Sequence, residues 1–246
     1  MSKSAVGVGD ENGEDGSMDV NWGLLRAYDW NLTPTEAEAL QRDLRGQVVT
    51  RDELGPLRLI AGVDNSYVPA TETTYAGVVV LTWPDLTVVE RRVSRTLTTF
   101  PYVPGLLSFR EAPGILAALA MLESEPDLFV FDGQGIAHMR GLGIASHLGL
   151  ILDKPSIGCA KSRLVGTYDE PGPTQGDRSP LTYRGRVVGT VLRPATGRKA
   201  LLFVSPGHRV GVETSARIIA ECCRGRIMAE PTRLAHELVT AARKGG

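Results

Sequence analysis

Between residues 57 and 97 the chain runs as "LRLIAGVDNSY" (57–67) and "YAGVVVLTWPDLTVVERRVSRTL" (75–97), segments rich in Val, Leu and Ile and broken at turn residues. The pattern predicts three consecutive strands, with Pro84-Asp85 as a turn, and links this short favour an antiparallel meander. Past the Pro-rich crossing "TFPYVPGLLSFREAPG" (99–114), Ile115, Leu116, Leu119 and Leu122 recur at helical spacing and predict a helix over 108–123. A strand at Leu128–Phe131, a short helix around Gly143–Leu152 and a strand in "KPSIGCAK" (154–161) follow. Upstream, Thr33 can cap a helix from Pro34 to about Arg45, with Glu36 three residues on, as in a capping box. Downstream, "YDEPGPTQGDRSPL" (168–181) reads as a loop, "YRGRVVGTVLR" (183–193) as a hairpin and "ALLFVSPG" (200–207) as a strand. Helices fill most of 211–243. The order βββ, α, β, α, β predicts an α/β fold: a mixed sheet flanked by helices on both faces.

Composition narrows this picture. At 246 residues, 42% hydrophobic and 22% charged, the chain has the makeup of an ordinary globular protein, with no apolar run near the length of a membrane span. Residues 1–20, small and acidic, read as a disordered tail without a secretory signal, and 21–246 as a single catalytic domain. Cys159, Cys222 and Cys223 have no metal-type spacing and suit a reducing, cytoplasmic setting. A net charge of −1 does not decide about nucleic acid, because 27 basic residues suffice for a local basic surface.

Three acids stand out against apolar surroundings. Asp64 interrupts the strand "LIAGVDNSY", Asp132 ends the strand Leu128–Phe131, and Glu111 opens the helix after the Pro-rich loop. Buried acids are paired or bind metal. If the first and fourth strands are neighbours, Asp64 and Asp132 point at one place that Glu111 can join. Such hard oxygen donors suit Mg²⁺ or Mn²⁺ and phosphodiester hydrolysis. Plainer readings stand beside this one: Asp64 paired with Arg58, Glu111 as a helix-start charge, and Asp132 as a turn or capping residue. By itself His236 reads as a helix-surface histidine ahead of a ligand, and Lys161 as an exposed strand-end lysine ahead of a phosphate contact.

Several runs together resemble the endonuclease V family of deoxyinosine 3′ endonucleases. They are "AGVDNSY" (61–67), "PYVPGLLSFREAP" (101–113), "DGQGIAHMRGLGIASHLGL" (132–150), "PSIGCAKSRLVG" (155–166), "LFVSPGHRV" (202–210) and "EPTRLAHEL" (230–238). The resemblance implies a ribonuclease H-like fold, with Asp64, Glu111 and Asp132 as metal-binding acids, His236 as the fourth residue of the metal centre and Lys161 as the active-site lysine. It implies that Pro101, Tyr102, Val103 and Pro104 form a wedge entering the duplex, with Tyr102 and Val103 filling the gap left by a displaced base. Gly105, Leu107, Gly133 and Gly135 would line the pocket for the flipped base, with His138 and Arg140 near the substrate backbone.

Two residues depart from the family pattern. Met139 stands where a proline is frequent, and Asn65 where a small apolar residue is common; neither is expected to touch a metal ligand. The implied activity is DNA repair: Mg²⁺-dependent hydrolysis, with Mn²⁺ substituting, of the second phosphodiester bond 3′ to deoxyinosine in DNA. No membrane and no obligate protein partner are expected. An endonuclease acting on inosine in single-stranded RNA is the alternative within the enzyme class, and a non-catalytic nucleic-acid-binding module of the same fold the alternative outside it.

Overall fold

The computed structural model describes residues 30–245. The acidic tail expected over 1–20 lies outside them, as do 21–29 and the last residue of the expected domain. Eight strands of the described residues form one sheet in the order β3-β2-β1-β4-β5-β8-β7-β6. They are β1 (Leu59–Val68), β2 (Thr73–Thr82), β3 (Val88–Leu97), β4 (Leu128–Phe131), β5 (Ser156–Ala160), β6 (Arg178–Tyr183), β7 (Arg186–Leu192) and β8 (Leu202–His208). The first three make the expected antiparallel meander. β1, β4 and β5 run parallel, which puts their carboxyl ends side by side, and β8 returns antiparallel to β5.

Both faces of the sheet are covered, and strand alternation explains how. On one face Ala61, Val63, Val78, Phe129 and Phe131 pack under α2 (Leu107–Leu119) and α3 (Ile144–Leu152), with α1 (Pro34–Leu44) adding Leu44. On the other, Ile60, Val79, Leu128, Val130 and Ile157 pack under α4 (Val212–Cys222) and α5 (Glu230–Gly245). Successive side chains of a strand point to opposite faces, so a strand covered twice reads as a near-continuous apolar run. α5 lies so close over β1 that a Cβ at Gly62 would collide with the Pro231 carbonyl.

The capping box is formed: Thr33 Oγ1 accepts from the Glu36 amide, and the Glu36 carboxylate accepts from the Thr33 amide. Two expectations are corrected. α2 ends at Leu119 and not near residue 123, because β3 takes over its last polar groups. Glu90 accepts from the amides of Glu123 and Ser124, and Arg92 donates to the Met121 carbonyl. The loop expected over 168–181 stops at residue 177, since Arg178 opens β6. β6 is an edge strand, where Pro180 is tolerated because one side of the strand needs no donor. The remaining loop is gathered around the buried Arg193 guanidinium, which donates to Gly172, Pro171 and Arg198 carbonyls and to Glu170.

Candidate active site

Asp64 and Asp132 meet because β1 and β4 are parallel neighbours. Val63 pairs with Phe131, and the Asp132 amide donates to the Val63 carbonyl, so the two acids follow their paired residues at one end of the sheet. Asp64 shares its face with Ile60 and Gly62 beneath α5, which brings His236 to it. His236 Nδ1 lies 2.8 Å from Asp64 Oδ2, and Asp64 Oδ1 accepts from the Asn65 amide at 2.8 Å. The Asp64 partner is therefore His236 and not Arg58, and the histidine side chain is 48% exposed. Asp132 Oδ2 pairs with Lys161 Nζ at 2.6 Å across the step from β4 to the end of β5.

Glu111 approaches from the opposite face. It sits on α2, over the side of β1 to which Asn65 points, and Asn65 Nδ2 donates to Glu111 Oε2 at 2.7 Å. The expectation that Asn65 touches no candidate ligand is thus corrected; alternation along β1 sends Asp64 and Asn65 to different acids' sides. Glu111 is deeply buried, and burial, reinforced by the charges of Asp64 and Asp132, pushes its carboxyl up to about 8 despite the Asn65 bond. Burial and then the neighbouring Asp132 charge raise Asp64 as well. For Lys161, burial pulls down but the bond to Asp132 and the charges of Asp132 and Asp64 outweigh it, so the ammonium is held above its ordinary value. The acids repel one another and face one lysine. As they stand, each carboxylate is turned to its own partner, and no three His, Cys, Asp or Glu among the described residues are gathered into a closed metal shell.

Beside the acids lies a cavity of about 370 Å³. Asp132 and Lys161 line its edge, Tyr102, Val103, Pro104, Gly105 and Leu107 one wall, and Gly133, Gln134 and His138 another. Of the expected wedge, Tyr102 projects, at 72% exposure. Val103 instead packs half-buried against the cluster of Phe100, Leu106 and Phe109, which anchors the loop on α1. Pro101 is exposed and lies outside the cavity lining, as does Gly135. Gly135 is required for packing: a Cβ there would collide with the Pro206 carbonyl of β8. His138 is buried, and burial, with the Arg140 charge, pushes it down to about 4. In its neutral form Nδ1 accepts from the Arg140 amide at 3.2 Å, which leaves Nε2 to donate to the Gly105 carbonyl at 3.0 Å. Arg140 donates to the same carbonyl and to Glu38. His138 lines the cavity while these bonds hold it and Arg140 to the Gly105 loop.

Three residues escaped the sequence reading. Asn65 holds Glu111, Gln41 reaches the cavity from α1, and Arg110 stacks over Tyr67 with 4.0 Å between guanidinium carbon and ring centroid, and over Tyr102 at 5.8 Å. Arg110 thereby links Tyr67 of β1 to the projecting tyrosine, and its charge favours the ionised form of the neighbouring Glu111. Its position next to Glu111 was the available signal; Gln41 carried none.

Comparison with known proteins bears on this arrangement. An endonuclease V family model matches residues 42–237. The endonuclease V of Nostoc punctiforme is 47% identical over 219 residues, covering 89% of this chain and 99% of the relative. The chain belongs to the endonuclease V family. The crystal structure of endonuclease V from Streptomyces avermitilis superposes with a TM-score of 0.83 at 39% identity, over 88% of this chain and 96% of that one. Endonuclease V of Ciona intestinalis, in complex with a 24mer DNA containing an inosine followed by a ribo-adenosine, gives a TM-score of 0.76 at 26% identity, over 86% and 98%. The mixed sheet has the ribonuclease H-like arrangement, and the endonuclease V relatives make this chain a nuclease. No helix among the described residues is long and apolar enough to cross a membrane.

Proposed function

We propose that this protein is a metal-dependent DNA repair endonuclease that admits the hypoxanthine base of deoxyinosine to the cavity and hydrolyses the second phosphodiester bond 3′ to it, leaving 3′-hydroxyl and 5′-phosphate ends. The observation that carries this reading is that cavity and acids share Asp132 and Lys161, so a base held in one fixes the backbone against the other. The inosine-containing DNA bound by the Ciona relative supports the choice of lesion.

The donor set fits Mg²⁺, with Mn²⁺ as substitute. Mg²⁺ is a hard cation that takes one or two carboxylates and completes its coordination with water and substrate phosphate, and the pairing of β1 with β4 brings two carboxylates, Asp64 and Asp132, to one end of the sheet. Asp64 and Asp132 would hold it, with Glu111 and His236 at the periphery. When bound, the ion neutralises charge building on the phosphate and acidifies water. His236 keeps Asp64 oriented through Oδ2. Lys161, already charged beside Asp132, is placed to hold a phosphate oxygen as a mobile point charge. Tyr102, backed by Arg110, enters the stack beside the lesion. In this reading a water acts as the nucleophile and hydrolysis is direct.

A second reading, cleavage of inosine-containing single-stranded RNA, draws on the ribo-adenosine in the DNA of that same complex. The two differ by contact with a 2′-hydroxyl. Matched deoxyinosine DNA and inosine RNA oligonucleotides, incubated with Mg²⁺ or with chelator and with product ends mapped, test both. Cleavage of the DNA one bond beyond the lesion's own 3′ phosphate is expected; binding of both without cutting would leave only the non-catalytic module.

A further inference from the structure

Gln41 stands just ahead of the span matched by the family model and is almost fully buried, at 1% exposure. A buried polar side chain so placed on α1 requires partners; one of its partners, Gly105, lines the cavity, and the other two, Leu142 and Arg140, lie in the segment between the lining residues His138 and Gly143. Its Nε2 donates to the Gly105 carbonyl at 3.0 Å, in the loop that carries Tyr102. The same Nε2 donates to the Leu142 carbonyl at 3.0 Å, in the segment that follows β4 and carries Gly133 and His138. Its Oε1 accepts from Arg140 Nε, whose Nη2 in turn donates to the Gly105 carbonyl at 2.9 Å. With nitrogen facing two carbonyls and oxygen facing a guanidinium, the amide has one orientation that satisfies all its neighbours.

One amide therefore joins the Gly105 loop directly to the segment after β4, two stretches that both contribute residues to the cavity, while His138 and Arg140 join them a second time through the same Gly105 carbonyl. Gly105 has a φ of 83°, in the left-handed region, and is packed so closely on Arg140 and Met139 that a Cβ would meet both. We propose that Gln41 is a positioning residue that sets the separation of the cavity walls, and through it which base the cavity admits and how Tyr102 is presented. The inference rests on the reading of the cavity as the base pocket. It also assigns α1 a part in specificity, although that helix contributes no acid and no wedge residue.

The test uses the full chain carrying Gln41→Met, which keeps volume and loses every hydrogen bond, and Gln41→Glu, which keeps the Arg140 partner and loses both donations. Steady-state cleavage with Mg²⁺ is measured on a deoxyinosine oligonucleotide and on matched undamaged DNA, beside thermal melting. Loss of the two neutral donations, common to both variants, corresponds to about a tenfold effect or more. We expect KM for the deoxyinosine substrate to rise about tenfold with kcat nearly unchanged, and the preference over undamaged DNA to shrink, in variants that still melt cooperatively. Should Gln41→Met fail to fold, Gln41→Glu carries the test. Unchanged KM and preference in a folded variant overturn the inference while an active wild type keeps the reading of the pocket. A wild type that does not distinguish deoxyinosine overturns that reading and the inference with it.

Discussion

Asp64, Glu111 and Asp132 are held by different neighbours, and the differences make separate predictions. Asp64→Asn or Asp132→Asn removes a negative donor while keeping size and hydrogen bonding, so cleavage should be abolished and deoxyinosine binding, followed by gel shift, largely retained. Wild-type rates in either variant would remove the acids from the chemistry. Glu111 predicts a pH dependence. Its carboxyl, held up to about 8 by burial against an ordinary 4.5, keeps its proton in the fold where the unfolded chain has lost it. The stability this group contributes is complete below the ordinary value and is lost as pH rises through about 8. With chelator present, the melting temperature should fall between about pH 5 and about pH 8, and Glu111→Gln should flatten that fall. An unaltered slope in Glu111→Gln would assign the dependence to other groups. Asp64, Glu111 and Asp132 stood out in the sequence as candidates because acids are costly among apolar residues. Asn65 was not, because its partner lies 46 positions away on a helix that only packing brings over β1.

At the scale of elements, the wedge loop and α5 act in opposite ways. Tyr102 projects into solvent, so Tyr102→Ala should leave the melting temperature almost unchanged while lowering deoxyinosine binding or cleavage severely. A preserved lesion preference would deny the loop its role. α5 delivers His236 to Asp64 only because Gly62 lets the Pro231 backbone approach β1. Gly62→Ala should cost about 1–3 kcal/mol by overpacking. It should also lower activity at temperatures where the variant is still folded, because the helix is displaced from the acid. Full specific activity in folded Gly62→Ala, measured beside a denaturant titration, would uncouple His236 from catalysis. The helices were readable by period and cap, yet α2 stops early because Glu90 and Arg92, on a strand, close it. Local propensity has no access to that decision.

Over the whole molecule, the proposed metal would tie together β1, α2, β4 and α5, four elements distant in sequence. A ligand that binds only the folded state stabilises by mass action, about 2.7 kcal/mol at a hundredfold excess over Kd. Mn²⁺ should therefore raise the melting temperature of the wild type and have little effect on the Asp64→Asn/Asp132→Asn double variant; an equal rise in both would place the ion elsewhere. The alternation of apolar positions, the turn residues and the order of elements determined by themselves the α/β class, the meander and the doubly covered sheet, because those follow from local periodicity and short connections. The runs of residues that resemble the family named the acids, the lysine and the wedge. Tertiary structure alone decided which side of β1 each acid is read from, that Gly135 packs against β8 while Gly133 lines the cavity, and that Gln41 ties the Gly105 loop to the segment after β4. These outcomes depend on which distant backbone comes to lie against a given side chain, and one residue's place on a pleated strand, under one helix or its neighbour, settles them.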